Sequence, residues 1–115
     1  MNTQRSFKEI GKFIRFKRLN HAEKYSQSQL SKKLGYKNGQ FISNVERGLC
    51  GIPLKGIKSL VQILEIDPSE LKQVMIRDYE KTLDNFLEEG ANSELQHQLL
   101  KKESFHNSSN DQLSL

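Results

Sequence analysis

The sequence predicts an all-α protein with a five-helix domain, and three observations carry that prediction. Apolar residues recur at three- and four-residue spacing in almost every segment, the β-branched runs typical of strands are missing, and helix start and stop signals punctuate the chain. The 115 residues are 35% hydrophobic, which suffices for one compact domain and an appendage. The expected divisions are a domain over 1–70, a helical extension over 71–90, and a short helix with a polar tail over 91–115.

The first helix, about Ser6 to Asn20, puts Phe7, Ile10, Ile14 and Lys17 on one stripe that Phe13 widens. After a polar connection, the second helix starts at Ser26, which forms a capping box with Gln29; Leu30 and Leu34 face inward and Gly35 ends it. In the following turn, GYKNG, Asn38 is a good cap for a third helix that Gly48 closes. A fourth helix runs from about Pro53 to Ile66, with Leu54, Ile57, Leu60, Val61 and Leu64 as its apolar face. The fifth has the clearest start: Asp67 as cap, Pro68 in the first position and Glu70 completing a box, with Gly90 stopping it after Glu89. A short helix is expected within Ser93 to Phe105, and the final HNSSNDQLSL reads as disordered.

No apolar run is long enough for a signal peptide or a membrane span, so a cytoplasmic protein is expected. The single cysteine, Cys50, has no second thiol for a disulfide or a metal cluster, and no metal or cofactor is expected. His21, His97 and His106 show neither metal-ligand spacing nor a paired nucleophile and base, which argues against an enzyme. The net charge of +4 hides a division. Residues 1–58 hold 13 Lys and Arg against three Glu, whereas residues 59–115 hold five against 11 acidic residues. A basic half beside an acidic half suits a polyanion-binding face separate from other functions, although a solvated basic surface has the same composition.

Two short helices joined by a glycine-bearing turn match the helix-turn-helix plan. Around the third helix, Phe41, Ile42 and Val45 point to one side, while Gln40, Ser43, Asn44 and Arg47 form the opposite stripe. Amide side chains present a donor and an acceptor in one plane and pair bidentately with adenine, and arginine reaches guanine or phosphate. The same residue types also suit an ordinary solvated helix face. Lys55 and Lys58, with Arg5, Lys8 and Lys37, are candidate phosphate contacts.

From about Ile10 to Leu71 the chain resembles the phage-repressor and Cro-like regulators, also called XRE-type helix-turn-helix proteins. The resemblance rests on IRFKR in the first helix, SQSQLSKKLG in the second, and above all ISNVERG at the end of the third. It implies a five-helix fold, sequence-specific binding of double-stranded DNA through a major-groove helix at about 38–47, and a role in transcriptional regulation. Carried over by residue, it implies base reading by Gln40, Ser43, Asn44 and Phe41, a phosphate contact by Gln27, and an ion pair between Arg18 and Glu46. For Phe41 two roles stand open, a thymine methyl contact or packing at the core edge beside Val45. The turn GYKNGQ is slightly longer than the family's spacing, which leaves Asn38 and Lys37 open between DNA backbone and solvent.

The fifth helix carries its apolar stripe past the expected domain end through Leu71, Val74, Met75, Tyr79, Leu83, Phe86 and Leu87. A homodimer interface is the expected use, with Asp78, Asp84, Glu88 and Glu89 holding the arm away from phosphate; folding back onto the same chain is the alternative. A second functional reading is an interaction module, such as an antitoxin-like regulator that neutralises a protein partner through its acidic half.

Overall fold

The computed structural model describes residues 5–89. They hold five helices and no strand: α1 (Lys8–Asn20), α2 (Gln27–Lys33), α3 (Gln40–Glu46), α4 (Leu54–Leu64) and α5 (Pro68–Glu89). The protein is all-α, as the apolar periodicity predicts. No helix among the described residues is long and apolar enough to cross a membrane. The helix expected within 93–105 and the polar tail lie outside the described residues.

Local chemistry sets most helix ends. The Ser26 hydroxyl accepts from Gln29 N and the Gln29 side chain accepts from Ser26 N, so α2 begins with a reciprocal capping box. Both α2 and α3 finish on a glycine in the left-handed region, Gly35 at φ +96° and Gly48 at φ +77°. In each case the next residue's N–H bonds back across the last turn, Tyr36 to Ser31 O and Leu49 to Asn44 O, which satisfies carbonyls the helix leaves free.

Four ends depart from expectation. Pro53 is the cap of α4 rather than its first residue, and α4 stops at Leu64 because Glu65 turns left-handed at φ +54°. Gly39 occupies the cap position of α3, while Asn38 Oδ1 accepts from Gln40 N at 2.9 Å and fixes the preceding turn. Asp67 does accept from Ser69 N at the start of α5, but Glu70 reaches Lys17 Nζ at 3.2 Å, tying α5 to α1.

One core joins the helices. Ile10 and Ile14 of α1 meet Leu30 of α2, Ile42 and Val45 of α3, Leu60 and Leu64 of α4, and Leu71 and Val74 of α5. Each such side chain contributes about 1.5–3 kcal/mol on burial. Leu54, expected on the apolar face of α4, is instead 83% exposed, because it opens the helix ahead of the turn that enters the core.

Among the described residues, 5–82 form one compact unit and 83–89 fall outside it. The turns of α5 just past residue 70, expected in the helical extension, belong to that unit. The reason is visible in α5 itself: Leu71 is only 2% exposed and Asp78 is buried, so these turns are part of the core. Leu71, expected in the dimer interface, packs into the core of its own chain and lines the inner wall of a groove between α4 and α5.

Asp78 also corrects its expected role as a repulsive surface charge. Its carboxylate accepts from Glu9 N at 2.9 Å and Ile10 N at 2.8 Å, capping α1, which has no side-chain cap of its own. Thr82 Oγ1 accepts from Ser6 N and donates to Asp78 O, extending the clasp by one turn.

Candidate nucleic-acid interface

The helix-turn-helix pair is held by polar contacts between its own two helices and by contacts from α1. α3 packs on both α1 and α2. On the α2 side, the fully buried Ser31 hydroxyl accepts from Ile42 N at 3.1 Å, giving the start of α3 a partner for a backbone donor. On the α1 side, Gly11 lies so close that a Cβ built there would stand 2.5 Å from Val45 O. Only glycine allows the two backbones to approach this closely.

At the far end of α3, Glu46 ties three helices together. Arg18 Nε and Nη2 donate to its two carboxylate oxygens at 2.6 and 2.9 Å, a bidentate pair. Gln27 Nε2 donates to the same carboxylate at 2.9 Å, and Arg18 Nη1 donates to Tyr25 O at 3.1 Å. The Glu46 side chain is 3% exposed. Its hydrogen bond holds the Arg18 guanidinium above its ordinary range in spite of the opposing effect of burial, so Arg18 stays charged. Gln27, expected at a phosphate, spends one N–H of its amide on Glu46 and keeps the other as a donor.

The stripe expected to read bases is a connected surface. Gln40 Nε2 donates to Asn44 Oδ1 at 2.9 Å, and Arg47 Nη2 donates to the same oxygen at 2.9 Å. Gln40 keeps its carbonyl oxygen as an acceptor and Asn44 its NH2 as a donor, the complement of the N6 donor and N7 acceptor on adenine. Gln40 and Arg47 are exposed, whereas Ser43 and Asn44 are half-buried. Lys37, Asn38, Lys55 and Lys58 are all exposed.

Phe41 is half-buried against the core and also stacks on Tyr36, with ring centroids 4.1 Å apart and planes 11° from parallel. The sequence reading did not single out Tyr36; an aromatic in the turn five residues before Phe41 was the available signal. Cys50 is half-buried, and burial pushes its thiol up, which suits a packing residue rather than a nucleophile.

No family model matches the chain, and comparison with curated proteins and with solved structures gives no match.

Proposed function

We propose that the protein is a sequence-specific, double-stranded DNA-binding transcriptional regulator of the cytoplasm that reads the major groove with α3. The observation that carries this reading is the hydrogen-bonded polar stripe of Gln40, Asn44 and Arg47, exposed at Gln40 and Arg47, on a helix anchored at both ends by buried polar contacts. Reading bases requires a polar surface held in one orientation, and an ordinary solvated face has no need of such anchoring. The basic half supplies sequence-independent attraction to phosphate, with Lys37, Arg47, Lys55 and Lys58 as the contacting group. Catalysis has no part in this reading.

Gln40→Ala and Asn44→Ala are each expected to cost about 1–3 kcal/mol at a preferred duplex while leaving affinity for random duplex unchanged. Titration of both variants against both duplexes checks this. An unchanged ratio of specific to nonspecific affinity removes these residues from base reading.

Action as a homodimer belongs to the same proposal. Leu54, Ile57 and Val61 of α4 and Met75, Ile76 and Tyr79 of α5 line an apolar groove of about 410 Å³. Tyr79 is 49% exposed, and Leu83, Phe86 and Leu87 are exposed on the last turns of the same helix. A second copy is the occupant that fits a DNA reader, because two-fold pairing sets two reading helices about 34 Å apart, one turn of the duplex. Light scattering on the full chain is expected to give a dimer and Tyr79→Glu a monomer. A full chain that stays monomeric at micromolar concentration and protects a single half-site contradicts the dimer.

A further inference from the structure

We infer that Phe41, backed by Tyr36, reads the 5-methyl group of a thymine, so that Phe41 determines specificity and Tyr36 positions it. This rests on the DNA-reading proposal. Around α3, at about 100° per residue, Phe41 sits roughly 60° from Asn44, on the border between the polar stripe and the buried side. Its neighbours toward the core, Ile42 and Val45, are fully buried, but Phe41 is only half-buried. The Tyr36 ring covers part of it and is itself 38% exposed. Two stacked rings therefore form an apolar shelf at the start of α3, beside the amide pair.

The stack is held by the backbone beneath it. Tyr36 N donates to Ser31 O in the turn that ends α2, and the Ser31 hydroxyl accepts from Ile42 N, the residue after Phe41. Both rings are thus referred to the same serine, which limits how far Phe41 can sink into the core. A shelf needed only to seal the core edge has no use for a second ring that is still 38% exposed.

The chemistry of an A·T pair matches this arrangement. Adenine offers the donor and acceptor that Gln40 and Asn44 complement, and a thymine contributes the one apolar group on the major-groove edge, its 5-methyl. Amides beside an aromatic shelf therefore suit a site in which adenine and thymine occupy adjoining positions. Cytosine, which lacks the methyl, leaves the shelf facing water.

The test replaces each thymine of a selected duplex by uracil, which deletes only the methyl and keeps every hydrogen-bonding group. The unaltered protein is expected to lose about fourfold in affinity at one or two positions, the worth of one buried methyl. Phe41→Ala and Tyr36→Ala are expected to shrink that loss to less than about twofold. If Phe41→Ala does not fold, Tyr36→Ala and the uracil scan on the unaltered protein still decide. A preferred duplex that tolerates uracil at every thymine, or a Tyr36→Ala variant that keeps the full methyl dependence, overturns this inference and leaves the DNA reading standing. Absence of any preferred duplex overturns both.

Discussion

Arg18→Ala is expected to destabilise the domain by about 3–5 kcal/mol, the largest loss from any single substitution considered. The cause is the group left behind. Glu46 is 3% exposed, and without Arg18 its nearest cation is Arg15, whose guanidinium lies 3.9 Å away and is 60% exposed. Gln27 still donates one hydrogen bond, too little to replace a bidentate guanidinium. Tyr25 O loses its donor at the same time. Thermal unfolding is expected to show a fall of more than about 12 °C, and Glu46→Ala a similar one. The double variant Arg18→Met with Glu46→Leu is expected to recover most of the loss, because apolar groups of similar volume strand no charge. A fall below about 1 kcal/mol for Arg18→Ala is the value of a surface pair and contradicts this account.

Asp78→Ala is expected to cost about 2–4 kcal/mol, because it removes the acceptor of two backbone donors, and Ile10 N lies where water cannot substitute. Asp78→Asn keeps one acceptor and is expected to lose about half as much. Amide hydrogen exchange separates this mechanism from a general loosening: Glu9 and Ile10 are expected to lose protection in both variants before the core amides do. Uniform loss of protection across all five helices contradicts a capping role.

Asp78 and Ser31 mark the limit of what the sequence reveals. Capping boxes, glycine stops and the Asp67–Pro68 start involve groups within a few residues of each other, so the local pattern contains the whole interaction. Asp78 acts on an amide 68 positions away, and Ser31 on one 11 away. Each looks like an ordinary helix residue until the fold brings its partner to it. Gly11 is similar, since inside a predicted helix its need becomes visible only when α3 passes over it. Periodicity placed Leu54 and Leu71 on apolar faces, but a face alone does not say how deep a residue sits along the helix. Leu54 came out exposed and Leu71 buried for that reason. In the candidate interface, the polar stripe was legible because it lies on one short helix, while the Tyr36 shelf spans a turn and needed the structure.

Selection of bound sequences from a random duplex library tests the central claim most directly. The expected result is enrichment of a defined sequence containing adenine and thymine, bound about 10³-fold or more tighter than random duplex at the same salt concentration. Affinity for random duplex is expected to fall steeply as salt rises. Failure to enrich any sequence, with equal affinity for every duplex, contradicts the assignment of α3 as a base-reading helix.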